Sequence, residues 1–549
     1  MEIIGTFWAL IPPIVAIALA LVSKETYTSL FVGILVGAIL LAVAAGDPVD
    51  TMNFIISGQV FSPEAYLDGT APTLVAPAEI PAEYADVDVI NVGLINALSG
   101  SAGIFVFLVI LGVIVSLINS AGVSAAFGEW AAKHVKTRIG AQLAAFLLGV
   151  LIFIDDYFNC LTVGAVMRPV TDAEKISRAK LSYIIDATAA PICMIAPISS
   201  WAAAVSDTAD GLNTGISGIQ LFINAIPFNF YSLLTIVFII GLVIMGFDYG
   251  PMAKSELAAY RDGELGSLAP EKKVVNEKAR VVDMIIPIVV LIVTCVFGMM
   301  YVGGFFEVGG DYYMDLAGAF GNTDAGTALP WGSIIALVFT FLYYLIRGTL
   351  KFPDAAVSFT EGFKAMVPAM LILVFALTLK SLTSALGAAL FVSTALSGAA
   401  EALYMMLPAI IFLVALGLAF ATGTSWGTFG ILIPIVVAVF PVDSQLLIIG
   451  ISACLAGAVC GDHISPISDT TVMASAGANV NHIEHVKTQM PYALTVAGVS
   501  FVMFIIAGIV QNWTICLPIG IVLTIIVLFV LRNTIGKKSI EDRRAATTA

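Results

Sequence analysis

Apolar stretches long enough to cross a bilayer recur from one end of this 549-residue chain to the other, and a soluble core has no place for them. Runs of spanning length fall at 7–22, 27–45, 103–120, 229–247, 283–301, 331–347, 366–383, 492–510 and 515–531. Each suffices for about 30 Å of hydrocarbon at about 1.5 Å per residue. Only 11% of the residues are charged, against roughly 25% in an ordinary globular domain. This excludes a soluble enzyme and predicts one polytopic, all-α body in the lipid bilayer. The run 7–22 follows Glu2 with no basic residue before it, so it reads as a retained span and not as a signal peptide. The six cysteines form no C-x-x-C pair, and neither disulfides nor a metal cluster is expected. A net charge of −14 argues against nucleic acid as a partner.

Lys and Arg concentrate in short cytoplasmic loops, which makes orientation readable. Lys24, Lys133/Lys136/Arg138, Arg168/Lys175/Arg178/Lys180, the stretch from Lys254 to Arg280, Arg347/Lys351/Lys364, Lys487 and the tail from Arg532 to Arg544 alternate with three segments, 46–100, 206–228 and 302–330, that carry acids but no Lys or Arg. All basic groups share one side only if 140–170 and 405–440 enter and leave by the same face while 180–205 and 446–475 each cross once. The prediction is about eleven transmembrane helices plus two re-entrant hairpins, with the N-terminus outside and the C-terminus in the cytoplasm. Lys380 breaks the pattern, lying within a span near its outer end.

The halves of the chain resemble each other. Gly122 and Gly387 are 265 residues apart, as are the hairpin prolines Pro169 and Pro434, which pairs Asn159 with Thr424; Pro197-Ile-Ser199 and Pro466-Ile-Ser468 are 269 apart. Five crossings per half make the second copy inverted. Inverted repeats with broken helices are a transporter signature, with the substrate near the midplane where the breaks meet.

The chemistry sits at those breaks. The first hairpin places Asp155 and Asp156 directly after an apolar run, followed by Asn159. A charge at that depth costs several kcal/mol unless solvated, paired or neutralised, and two adjacent acids repel, so one is expected to keep a proton until a cation arrives. The second hairpin offers hydroxyls instead, Thr422, Thr424 and Ser425 around Gly423, and hard cations favour such oxygens. The segment Gly461-Asp462-His463-Ile464-Ser465-Pro466-Ile467-Ser468-Asp469 crowds oxygen ligands around a proline that removes a helix hydrogen bond, with Gly461 permitting the break. His463 either relays protons or packs as a hydrogen-bond donor. Accessory candidates are Ser199, Asp186 and Lys380; Asp186 is either functional or turned to cytoplasmic water. Lys380, at the outer end of its span, and Arg168, at a hairpin base, are the basic groups available to an organic anion.

Phe153-Ile-Asp-Asp-Tyr-Phe-Asn159 together with Gly461-Asp-His-Ile-Ser-Pro-Ile-Ser-Asp-Thr-Thr471 resembles the NhaC-type sodium/proton antiporter family, whose relatives include malate/lactate antiporters. The resemblance implies a homodimeric, elevator-type transporter of the ion transporter superfamily. In it 1–139 and 283–404 are scaffold, 140–228 and 405–491 carry the hairpins and interrupted helices of the moving domain, 229–282 is a span with a cytoplasmic connector, and 492–549 holds the last two spans and tail. The function read from the residues is exchange of Na⁺ for H⁺ across the cytoplasmic membrane, without a cofactor and without enzymatic chemistry. The alternative is an Na⁺- or H⁺-coupled carrier of a small organic acid or amino acid.

Overall fold

Polar residues mark where the apolar runs become helices in the computed structural model of the chain. It describes residues 3–548 except 24, 47–49, 78, 124–125, 127–129, 131–133, 210–211, 213–214, 267–275, 277, 389, 392–393, 395–400 and 467. Glu25 caps α2 (Thr26–Ala45) by accepting from the N–H groups of Tyr27 and Thr28, and Gly46 ends it in the left-handed conformation. Thr137 caps α4 (Arg138–Leu151), Ser177 caps α6 (Arg178–Thr188) and Asn229 caps α10 (Phe230–Met245), each oxygen accepting an N–H that the first turn leaves without a partner.

In chain order the main helices are α1 (Ile11–Ser23), α2, α3 (Ala102–Ser120), α4, α5 (Asp156–Ala173), α6, α7 (Ala190–Cys193), α8 (Ser200–Ala209), α9 (Gly218–Ala225), α10 and α11 (Gly250–Asp262). They continue with α12 (Val282–Val302), α13 (Ala325–Arg347), α14 (Phe352–Ala385), α15 (Glu401–Thr422), α16 (Ser425–Val439), α17 (Gln445–Ile464), α18 (Asp469–Ala478), α19 (His482–Val510) and α20 (Trp513–Asn533). Among the described residues eight helices are long and apolar enough to cross a membrane: α2, α3, α12, α13, α15, α17, α19 and α20. Two bent pairs, Gly218–Phe228 with Phe230–Met245 at 44° and the halves of α14 at 40°, raise this to ten. The chain is therefore a multi-pass membrane protein.

Eight to ten spans differ from the eleven crossings expected from sequence, for local reasons. The run 7–22 divides into a 3₁₀ turn at Phe7–Leu10 and the 13-residue α1. The stretch 178–209 falls into α6, α7 and α8, none of spanning length, while α15 reaches 22 residues. The acidic segment 46–100 carries short helices and an antiparallel pair, β1 (Gly58–Phe61) with β2 (Val89–Val92), in the register Gly58↔Val92 to Phe61↔Val89.

Two residues counted as loop cations are buried instead. Arg178 donates to the Ala478 carbonyl and pairs with Asp172 at 2.7 Å, and Lys180, 1% exposed, pairs with Asp248 at 2.7 Å. The helices differ in what surrounds them: the apolar window of α17 is 94% buried, that of α12 28% and that of α20 22%. The α12 and α20 faces are thus largely uncovered by the chain itself, and α17 runs through the protein interior, where intramembrane polar groups find partners.

Candidate functional site

Three helix starts carry the buried polar groups of the site, and one of them, that of α16, meets α17. α5 begins at Asp156, α8 at Ser200 and α16 at Ser425, and each start leaves N–H groups and the positive end of the helix dipole pointing at its neighbours. Asp155 and Asp156, each 2% exposed, stand at the first of these, so the helix itself favours their negative charge. Ser200 Oγ donates to Asp155 Oδ2 at 3.3 Å, and the Ser200 N–H donates to the Ile154 carbonyl at 3.0 Å. Thr470 Oγ1 donates to Asp156 Oδ2 at 3.0 Å. The adjacent acids therefore face different partners: Asp155 the interrupted helix of its own half, Asp156 the one of the other half.

Asp462, 3% exposed, lies in the last turn of α17, with Ser425 Oγ 2.9 Å from its Oδ2 and 3.1 Å from the Ala458 carbonyl. Thr471 Oγ1 reaches the Asp462 carbonyl at 3.4 Å, so the consecutive Thr470 and Thr471 join the two acid-bearing segments. Trp201 and Trp426 cross edge-to-face at 6.0 Å. The tripeptides Ser199-Ser200-Trp201 and Thr424-Ser425-Trp426 thus act alike: the first hydroxyl caps the helix, the second meets a buried carboxylate, and the rings touch each other.

Other predicted ligands are engaged by the backbone. Asn159 sets its amide nitrogen 2.7, 3.0 and 3.0 Å from the carbonyls of Gly149, Ile152 and Thr188, tying the α4 end to the α6 end. Thr422 donates to the Leu418 carbonyl, Thr424 caps α16, Ser465 donates to the Phe420 carbonyl and Ser468 caps α18. The Asp469 side chain lies outside the described residues. Lys380 is half-buried on α14, and Arg168 half-buried on α5.

Several sequence expectations are corrected or decided here. Asp155 and Thr424 directly precede α5 and α16 and are 269 apart like Ser199 and Ser468, whereas the prolines pair Asn159 with Thr424, a difference of about one turn. Gly461 lies within α17 and not at the break: a Cβ there would stand 2.1 Å from the Leu416 carbonyl, so glycine is needed for α15 to pack against α17. Asp186 does not face water but is 1% exposed, with His485 Nε2 3.0 Å and Gln489 Nε2 2.9 Å from its Oδ2. His463 turns from Asp462 toward Tyr231, whose hydroxyl is 2.7 Å from its Nδ1.

Sequence reasoning missed Ser200 and Thr470 as carboxylate partners and His485 and Gln489 as partners of Asp186. The shared Ser-Trp dipeptide was the available signal for Ser200; no spacing rule brings 485 to 186. The contact between α5 and α18 that seats Thr470 on Asp156 depends on Gly164 meeting Gly477, where a Cβ on Gly164 would lie 2.3 Å from the Gly477 carbonyl carbon. Gly164→Ala is expected to lose about 1–3 kcal/mol by forcing the helices apart. Gly498→Ala, with nothing within 4 Å of the added carbon, is expected to keep the wild-type melting temperature. Equal melting temperatures for the two detergent-purified variants would contradict the close contact.

The sequence profile described as the Na⁺/H⁺ antiporter family matches residues 192–509, which is more than half of the chain and includes Asp462 and Ser425 but not the Asp155–Asp156 pair. An uncharacterized protein of Haemophilus influenzae is 35% identical over 542 residues, covering 97% of each chain. The malate-2H⁺/Na⁺-lactate antiporter of Bacillus subtilis is 34% identical over 88 residues, 16% of this chain and 19% of that one. Among solved structures, the Alcanivorax borkumensis YdaH transporter is similar in fold, with a TM-score of 0.50 at 13% identity over 88% of this chain and 98% of that one.

Proposed function

The chain belongs to the Na⁺/H⁺ antiporter family, and from that premise we propose that it is a secondary transporter exchanging Na⁺ for H⁺ across the cytoplasmic membrane by alternating access. The observation that carries this reading is the set of three buried carboxylates, Asp155, Asp156 and Asp462, each met by a hydroxyl from a different helix start, Ser200, Thr470 and Ser425. Such oxygens suit a hard monovalent cation, and closure around it requires several helix ends to move together. Thr422, Thr424, Asn159, Ser465 and Ser468 cap or tie the backbone at these helix breaks and so support the ligands, and Asp469 joins the proposed ligand region. The equal separation of capping positions, 269 in both pairs, supports two inverted repeats with re-entrant hairpins at 140–170 and 405–440. An elevator movement of 140–228 and 405–491 against a dimeric scaffold, 1–139 and 283–404, extends the same reading.

Proteoliposomes loaded with a pH dye test it: an acid-inside pH gradient should collapse on adding Na⁺ outside, and K⁺ and Li⁺ additions read selectivity. Proton movement indifferent to Na⁺ contradicts the proposal. The partial similarity to a malate-2H⁺/Na⁺-lactate antiporter favours a second reading, carriage of a small organic acid, which the same vesicles test with malate and lactate. Lys380 then becomes the counter-charge, and Lys380→Met should remove the organic acid response while leaving Na⁺ exchange.

The proposed orientation, N-terminus outside and C-terminus inside, has its own test. In a Cys-less background, cysteines at the exposed Asp68 and Asp311 should react with an impermeant external thiol reagent, and those at the exposed Lys254 and Lys538 should not. The opposite pattern reverses the orientation.

A further inference from the structure

We propose that the exchanged proton resides on the buried pair Asp186–His485 and not on the carboxylates that hold the cation. The proposal rests on the exchange reading above. Asp186 on α6 and His485 on α19 are 1% and 0% exposed and sit 3.0 Å apart, an ionisable pair closed off within the protein. Gln489, one turn beyond His485, donates to the same Asp186 oxygen at 2.9 Å and lies 2.5 Å from the His463 carbonyl. His463 directly follows Asp462 on α17, so a continuous hydrogen-bonded strip links the pair to the residue beside a proposed cation ligand.

The tautomer follows from the contacts. With Nε2 donating to Asp186, the His485 ring keeps Nδ1 as a buried nitrogen without a protein partner among the described residues. A neutral imidazole accepts a proton there. Before uptake the pair carries one negative charge in a dry site; afterwards it is a neutral ion pair, which burial tolerates better.

The neighbouring Lys and Arg among the described residues are engaged with other carboxylates. Lys180, on α6 itself, is paired with Asp248 at 2.7 Å. Glu256 of α11, at the N-terminal end of α6, is held by Arg138 of α4 and the Ser177 N–H, and Asp172 of α5 by Arg178. Among the described residues the other titratable groups that interact with the pair are Cys160 of α5, Tyr231 of α10 and His463 of α17.

Coupling then needs no shared ligand. A cation arriving at Asp462 cancels a negative charge near the pair and weakens its hold on the proton, and by linkage a protonated pair weakens cation binding by the same factor. Na⁺ and H⁺ thereby exclude each other from separate places.

Asp186→Asn/His485→Gln keeps amide donors but removes both titratable groups. Na⁺ is added to detergent-purified protein in weakly buffered indicator solution, with choline as control, while the Na⁺-dependent rise in melting temperature reports binding. Wild type should release protons and gain stability; the double variant should gain stability and release none. Undiminished proton release by a Na⁺-binding double variant overturns the proposal. A wild type that neither gains stability nor releases protons overturns the exchange reading instead. His485→Gln alone, which keeps the donor to Asp186, should flatten the pH dependence of the Na⁺-induced stabilisation, and an unchanged pH profile in a folded variant also overturns the proposal.

Discussion

Asp156→Asn and Asp462→Asn are each expected to reduce Na⁺-driven proton movement in proteoliposomes by about 30-fold or more. The substitution keeps side-chain shape and the contacts to Thr470 and Ser425 but removes the charge that opposes a desolvated cation. Removing one member of a buried charge pair costs about 2–5 kcal/mol, which converts to that range. Both side chains are nearly inaccessible, 2% and 3% exposed, so bulk water does not substitute for the lost charge. Unaltered melting temperatures distinguish loss of the site from loss of the fold. Wild-type rates in both variants would remove the carboxylates from the mechanism. Because Asp156 is joined to the second half through Thr470, Thr470→Val is expected to fall between wild type and Asp156→Asn.

The second large effect is on stability. Lys180→Met leaves Asp248 buried without its cation, and is expected to destabilise the protein by about 3–5 kcal/mol. The ammonium also lies 5.0 Å from the Tyr492 ring centroid, and the Tyr492 hydroxyl donates to Asp248 at 2.6 Å, so α6, α19 and the turn before α11 share one polar knot. Removing both charges, Lys180→Met with Asp248→Leu, should restore most of the loss, since a buried pair replaced by apolar groups is often neutral. Thermal unfolding in detergent measures both. Equal melting temperatures for Lys180→Met and wild type would show that Asp248 finds another partner or is reached by water.

The legible part of the site was the part that breaks a local rule. Acids after an apolar run and a proline within a helical stretch are visible because each is costly unless compensated, and the structure sets Asp155, Asp156 and Asp462 at or beside helix ends. Hydroxyl residues were harder to read. Thr424, Ser468 and Ser199 look like ligands in the one-letter code, yet each accepts an N–H as a helix cap. Ser200 and Thr470, which meet the carboxylates, stand beside residues of the same type, and only the direction of a side chain around the helix separates a cap from a ligand.

Hydropathy and spacing by themselves determined that this chain lives in a bilayer as helices and that 140–205 and 405–477 are interrupted, because a backbone without water must satisfy its own hydrogen bonds and every interruption is costly. Which charges are solvated was decided by tertiary structure. Lys180 and Arg178 read as loop cations, and Asp186 as either functional or turned to cytoplasmic water, until α19 and the turn at Asp248 pack against α6 and supply His485, Gln489 and Asp248. Partners some 300 residues away leave no periodic trace, since a buried contact depends on the direction of two side chains in space and hydropathy records only the average character of a segment.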